Sequence, residues 1–431
     1  MPSQQRLRTI PGRLTRRRNY LELPAVAPDS AGNLVVPAAV LAQAGADADA
    51  DWTCALVNGR LALLHDVPAK IYVEATTVCN LGCVTCIRHA WDEPMGHMPP
   101  ERYRRLLDGL FPAAPEPVTL AFAGYGEPLV NPHFFEMVEL ARERRLRVEL
   151  ITNGLLLTAE ATRELLRLGV AQIAISLDGA DETTYGDVRG RGLAPVLANL
   201  QALSEARRRA RVPARLGVAF VATRRNIASL PDLLRLAHDL DLDFVSVSNV
   251  VPHTPEMAAE ALWGQAAWAS NFSPDTWRPR LDLARLDQNE FTRPVLLDLW
   301  PRAQVFPPPA LDAGAWRNHC RFVHEGTLAV SWDGRVAPCL SLLHTHPEYI
   351  SGHWKQVRRC DLGRIDDAPL VDLWRQPAYR DLRRRLRAFD FPECFLCGGC
   401  PSTENNEEDC FGNPFPVCSE CLWAQGLVLC P

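Results

Sequence analysis

Six short apolar runs follow one another between residues 70 and 252, at Ile71–Ala75, Val118–Ala123, Val148–Thr152, Ala171–Leu177, Leu216–Ala222 and Phe244–Val250. Stretches of helical periodicity lie between them, among them Phe134–Arg145, Ala159–Leu168, Pro195–Arg208 and Leu230–Leu240. Near-continuous apolar strands separated by amphipathic helices imply a parallel sheet covered on both faces. Six such units predict an α/β fold, a partial (β/α)6 barrel rather than a complete eight-fold one. In barrels of this kind ligands meet the loops at the carboxyl ends of the strands. The chemistry should therefore stand just after each apolar run.

Straight after the first run comes Cys79-Asn80-Leu81-Gly82-Cys83-Val84-Thr85-Cys86. Thiolates spaced C-x3-C-x2-C can ligate three irons of a 4Fe–4S cluster and leave the fourth iron without a protein ligand. Such an open iron can chelate the amino and carboxylate groups of a methionine-like molecule and pass one electron to an adjacent sulfonium. The competing reading is a closed zinc or iron–sulfur site completed by a distant ligand such as His89. Of the 14 cysteines, ten lie after position 319. Clustered thiols in a reducing compartment favour metal binding over a disulfide scaffold.

Charge and hydropathy narrow the class further. The chain has 431 residues, 47% of them hydrophobic and 23% charged, which excludes wholesale disorder. A formal charge of −5 gives no whole-chain support for nucleic-acid binding. No apolar run approaches the roughly 18 residues of a membrane span. Six arginines in the first twenty residues are followed by no apolar stretch, so no export signal is expected and the cytoplasm is the expected compartment.

Five regions are expected along the chain. Residues 1–19 read as a basic tail and 20–68 as a small β-hairpin module, with Asn58-Gly59 as its turn signal. Within it Ala27–Leu64 resembles the swapped-hairpin transition-state-regulator module, and it reads as a β cap or partner-docking piece. Residues 69–252 form the core. Residues 253–316, with the run Pro307-Pro308-Pro309, read as a linker or substrate-facing segment, and 317–431 as a loop-rich, cysteine-rich region with one basic helix-like stretch, Ala378–Ala388.

Across roughly residues 70–252 the chain resembles the radical S-adenosylmethionine (radical SAM) superfamily. Gly124-Tyr125-Gly126-Glu127-Pro128 is similar to the family's glycine–glutamate–proline turn, which in the family meets the SAM ammonium. Glycine lets backbone approach closely, and a carboxylate or carbonyl accepts from an ammonium. Tyr125 stands where glycine is commonest, and Thr85 where an aromatic residue often packs on adenine. Thr152-Asn153-Gly154 and Ser176-Leu177-Asp178-Gly179 follow the third and fourth runs. The resemblance implies cofactor contacts from Gly124, Gly126, Glu127 and Asn153. It places Ser176 and Asp178 near the ribose, and Arg189 and Asn249 at the carboxylate and adenine. Taken singly, each is also an ordinary strand-to-turn sequence.

Cys320 and Cys339, in the arrangement C-x13-G-x4-C with Gly334, resemble the opening of the SPASM domain, an auxiliary iron–sulfur extension. With Cys394, Cys397, Cys400, Cys410, Cys418 and Cys421 they total eight, enough for two auxiliary 4Fe–4S clusters. Cys54, Cys360 and Cys430 are then left as free thiols. By resemblance Cys320 and Cys339 share one cluster with a later cysteine, while Cys394 and Cys397 serve the other. One cluster, or a zinc ribbon of Cys394, Cys397, Cys418 and Cys421, also fits the spacing.

Within the superfamily, Cys86–Met98, Asp409–Asn413 and Cys421–Gly426 are similar to the maturase group associated with tungsten-cofactor aldehyde oxidoreductases. The resemblance implies reductive cleavage of SAM to a 5′-deoxyadenosyl radical that modifies a protein or peptide, or helps install a cofactor. The partners it implies are a protein or peptide substrate, such as a tungsten-containing oxidoreductase, and an electron donor such as ferredoxin or flavodoxin, with neither membrane nor nucleic acid expected. His89, Asp92, Glu93 and His97 beside the cysteine loop could act as acid or base, or hold the loop's shape. Two alternatives stay open: a ribosomal-peptide-modifying or molybdopterin-precursor-type radical SAM enzyme, and a non-catalytic iron–sulfur or zinc regulator.

Overall fold

The strands form where the apolar runs lie. A computed structural model describes residues 36, 40, 52–57, 60–65, 67–110, 118–190, 192–264, 279–299, 319–392 and 404–430. The basic tail, the run Pro307–Pro309 and Cys394, Cys397 and Cys400 lie outside these residues. The chain divides into two compact units, residues 1–66 and 67–431. In the first, β1 (Trp52–Val57) and β2 (Arg60–His65) pair antiparallel, Val57 opposite Arg60, as the expected hairpin requires.

In the second unit the six expected strands are parallel neighbours in chain order: β3 (Lys70–Val73), β4 (Thr119–Phe122), β5 (Arg147–Thr152), β6 (Gln172–Ser176), β7 (Arg215–Ala222) and β8 (Phe244–Asn249). Helices Phe134–Glu143, Ala159–Arg167, Leu193–Ala210 and Leu230–Asp239 connect them. The second has a side-chain cap: Thr158 Oγ1 accepts from Ala161 N at 3.2 Å. Ile71, Leu120, Val148, Ile173, Val218 and Val245 are buried in one core, each contributing roughly 1.5–3 kcal/mol of transfer free energy.

The sheet does not stop at six strands. β9 (Arg280–Leu283), from the segment expected to be a linker, lies parallel to β8. On the opposite edge β10 (Thr327–Val330) lies parallel to β3, and β11 (Val336–Ala337) pairs antiparallel with β10. The order is therefore β11-β10-β3-β4-β5-β6-β7-β8-β9. These strands escape a periodicity reading because they lie in segments without the regular strand–helix alternation that marks the central six. Beyond them, β12 (His346–Ile350) and β13 (His353–Val357) form a separate hairpin, and the basic stretch forms the helix Pro377–Ala388. Among the described residues no helix is long and apolar enough to cross a membrane.

Candidate functional site

Beyond β3 the chain runs through buried Glu74, Ala75, Thr76 and Thr77 before the cysteine loop begins. The loop returns beside its own start. Met98 N donates to Ala75 O at 2.9 Å, Thr77 N to Gly96 O at 3.0 Å, and Gly96 N to Thr77 Oγ1 at 2.9 Å. Inside this neck, buried Arg88 donates to Thr77 O and to Leu81 O, both at 3.0 Å. The backbone that carries the thiols is thus fixed at its neck and its centre. Cys79, Cys83 and Cys86 are all partly exposed. Asn153 Nδ2 approaches Cys79 Sγ, and Arg189 Nη1 approaches Cys83 Sγ, each at 3.9 Å. Burial pushes the Cys83 thiol up to about 11 against the opposing pull of Arg189, and burial raises Cys86 as well. Deprotonation in such surroundings is favoured once a metal takes the thiolate.

The turn after β4 packs directly on this loop. A Cβ on Gly126 would lie 2.2 Å from Thr76 O, and one on Gly124 would lie 2.7 Å from Glu74 Cγ, so neither position admits a side chain without displacement. The neighbouring Glu127 is buried. Its carboxylate accepts from Leu129 N (3.1 Å), Thr152 Oγ1 (2.8 Å) and Asn153 N (2.6 Å). Burial raises its pKa despite these hydrogen bonds. Glu127 therefore ties the β4 turn to the β5 turn. Asn153 extends the tie, donating to Asn80 Oδ1 at 2.7 Å.

Ser176 is partly exposed at the end of β6. Asp178 is fully buried: it accepts from Val221 N at 2.7 Å and pairs with Arg189 Nε at 2.7 Å. Burial opposes the charge on Arg189, but Asp178 outweighs it and the guanidinium stays protonated. What Asp178 offers a ligand, it offers through Arg189. Asn249, buried at the end of β8, donates to Arg285 O and Leu427 O, both at 2.8 Å, and its Oδ1 has no hydrogen-bond partner among the described residues. A buried acceptor of this kind is costly to leave unpaired and fits a ligand N–H.

Sequence reasoning missed one element of the site. His344, from the cysteine-rich region, lies between Glu74 and Glu93, with Nε2 2.9 Å from Glu74 Oε2 and Nδ1 2.8 Å from Glu93 Oε2. Trp91 stacks on its ring at 4.2 Å. Tyr125 meets Trp91 edge-on at 4.9 Å and donates its hydroxyl to Leu340 O at 3.2 Å, which gives the departure from glycine a structural use. Glu74 carried a signal, as a charge closing an apolar run; His344, in a loop, carried none. Of the acid–base candidates, Glu93 belongs to this group, while His89, Asp92 and His97 are exposed.

Cys320, Cys339, Cys418 and Cys421 come within electrostatic reach of one another. Burial, with Cys421 next, pushes the Cys320 thiol up to about 12. Cys418 and Cys421 thus lie near Cys320 and Cys339. Cys410 is exposed, Cys360 is buried, and Cys430 accepts from Trp423 Nε1 at 3.3 Å. Among the described residues no three Cys, His, Asp or Glu side chains converge on one metal ion. Thiolates on different irons of a cube need not share one point. The partly exposed loop thiols, with N–H groups aimed at two of them, fit a 4Fe–4S cluster.

Comparisons with known proteins agree with this geometry. Residues 73–248 match the Radical SAM superfamily profile, and residues 320–401 match that of an iron–sulfur cluster-binding domain, SPASM. The chain is similar to the tungsten-containing aldehyde ferredoxin oxidoreductase cofactor-modifying protein of Pyrococcus furiosus, 30% identical over 366 residues, 84% of this chain and 96% of that one. It is also 30% identical over 192 residues to the AdoMet-dependent heme synthase of Methanosarcina barkeri, covering 44% of this chain and about half of that protein, 52%. Among solved structures, SuiB of Streptococcus suis bound to its precursor peptide SuiA matches at a TM-score of 0.51 and 16% identity, over 74% of this chain and 67% of that one. That likeness is one of fold alone.

Proposed function

The chain belongs to the radical SAM superfamily, and from that premise we propose that it is a maturase acting for a tungsten-containing aldehyde oxidoreductase, modifying that protein or assisting installation of its cofactor. One observation carries the reading: at 30% identity the likeness to the Pyrococcus protein spans 96% of that protein and extends far beyond residues 73–248. A reduced ferredoxin or flavodoxin fits as the electron donor.

When bound, the cluster and SAM supply a one-electron cleavage that gives methionine and a 5′-deoxyadenosyl radical able to abstract hydrogen from an unreactive C–H bond. Cys79, Cys83 and Cys86 would hold the cluster. Gly124 and Gly126 keep the β4 turn close against the loop, Glu127 and Asn153 brace it, and Arg189 presents a fixed positive charge beside Cys83. Asn249 Oδ1 would accept from the adenine. Cys320, Cys339, Cys418 and Cys421 would hold an auxiliary cluster, with the remaining late cysteines available for a second.

The test is anaerobic incubation of the reconstituted protein with dithionite and SAM, followed by chromatography for 5′-deoxyadenosine. No 5′-deoxyadenosine, with or without a tungsten-containing aldehyde oxidoreductase, would sink the reading. Mass spectrometry of the oxidoreductase polypeptide and of its extracted cofactor then separates protein modification from cofactor assistance. Iron analysis fixes the cluster count at roughly twelve, eight or four irons per chain.

A further inference from the structure

Three segments far apart in the chain meet at one imidazole. Glu74 follows β3 and lies under the glycine turn: its Oε1 accepts from Tyr125 N at 3.2 Å, and its side chain fills the space beside Gly124. Glu93 belongs to the cysteine loop; its Oε1 accepts from Thr345 N at 3.1 Å and faces Arg359 Nη1 at 3.4 Å. His344 uses one ring nitrogen on each carboxylate, and its side chain is almost wholly buried.

The chemistry of the contact is demanding. A carboxylate only accepts hydrogen bonds, and a neutral imidazole has a single N–H. Two carboxylates facing both nitrogens therefore call for the doubly protonated ring, with Arg359 balancing the second negative charge. Burial disfavours that charge, but Glu74 and Glu93 outweigh it and hold the His344 pKa up at about 9. Trp91 and Tyr125 pack against the His344 ring. Removing the ring would leave buried Glu74 without its charged partner and facing the Glu93 carboxylate, so the two would move apart.

We propose that His344 is a positioning residue for SAM: by hydrogen-bonding Glu74 under the glycine turn and Glu93 in the cysteine loop together, it fixes the spacing of those two segments and ties that spacing to the auxiliary iron–sulfur region. The proposal rests on the radical SAM reading above and adds to it a link from the auxiliary region to the SAM site. Neither Glu74 nor His344 needs to touch SAM for this role. The effect runs through the Tyr125 amide on one side and the loop backbone on the other.

The experiment uses full-length, anaerobically reconstituted protein carrying His344→Gln or His344→Ala. Three quantities are measured: iron content, melting temperature, and the SAM concentration that half-saturates the SAM-induced change in the electron paramagnetic resonance spectrum of the reduced protein. Glutamine keeps much of the volume but cannot span both carboxylates. The expected result is a half-saturation raised roughly 10- to 100-fold in both variants, with His344→Gln keeping wild-type iron content and staying folded at the assay temperature, although its melting temperature is lowered by loss of the two carboxylate contacts. An unchanged half-saturation in His344→Gln overturns the proposal. Loss of iron or of the fold in both variants also overturns it, since the residue then holds the structure and not the ligand. A wild-type protein that shows no SAM-induced change overturns the radical SAM reading itself, and this proposal with it.

Discussion

The two thiol sites differ in how far the chain travels to build them. The first lies within Cys79–Cys86 and is fixed by backbone hydrogen bonds and Arg88. The second brings Cys418 and Cys421 to Cys320 and Cys339 across a long stretch of sequence. All three thiols of the first are partly exposed; in the second Cys339 and Cys418 are each 8% exposed, while Cys320 and Cys421 are partly exposed. A site whose geometry is local can stay open, because it does not need packing to exist. A site assembled from distant pieces is enclosed by the packing that brings them together. The local site is thus the more accessible and the distant one the more enclosed, which suits the proposal that SAM meets the first.

That contrast can be broken by experiment, and the largest effect comes at the open site. Cys83→Ala should abolish 5′-deoxyadenosine formation and remove about four irons while the auxiliary irons remain, by chromatography and iron analysis. Cys418→Ser should do the reverse: lose auxiliary iron and lower the melting temperature, while cleavage of SAM without partner protein persists. If that cleavage disappears as completely as in Cys83→Ala, the two sites are not separate in function.

The support around each site gives smaller effects. Glu127→Gln sets an amide N–H₂ against donors that now reach a carboxylate, and should cost about 1–3 kcal/mol in urea denaturation. The His344 contact should make stability depend on pH. A folded pKa raised from 6.5 to about 9 contributes stability that is complete below the lower value and lost as pH rises through the upper one. Glu74, Glu93 and Arg359 are the charged groups facing it. In urea denaturation the stability of wild type should fall as pH rises through that window, and that of His344→Gln should stay nearly flat. Smallest is Asp366→Asn. It breaks ion pairs with Arg102 and Arg105 that are partly solvated, and should cost about 1 kcal/mol or less.

Legibility follows the same division between local and distant. The six central strands are readable because each is a buried run with a helix after it, and the loop thiols are readable because spacing alone states their chemistry. Glu127, Asn153, Asp178 and Arg189 are recognisable by position, but their hydrogen bonds are not: the sequence does not show that Asp178 faces Arg189 inside the protein. His344 stands 270 positions from Glu74, and no local pattern marks a pair so separated. β9 and β10 are each four residues long and lie where periodicity is absent.

One of those short strands governs what can be transplanted. β10 lies along the free edge of β3, with Thr327 beside Lys70 and Val330 beside Val73, and Glu74 N donates to Val330 O at 2.9 Å. A chimera that exchanges the iron–sulfur portion for another enzyme's must supply a strand in that register. Without one it leaves a bare row of amides and carbonyls next to the residues that lead into the cysteine loop. The cysteine-rich portion is thus a stave of the barrel as well as a passenger on it.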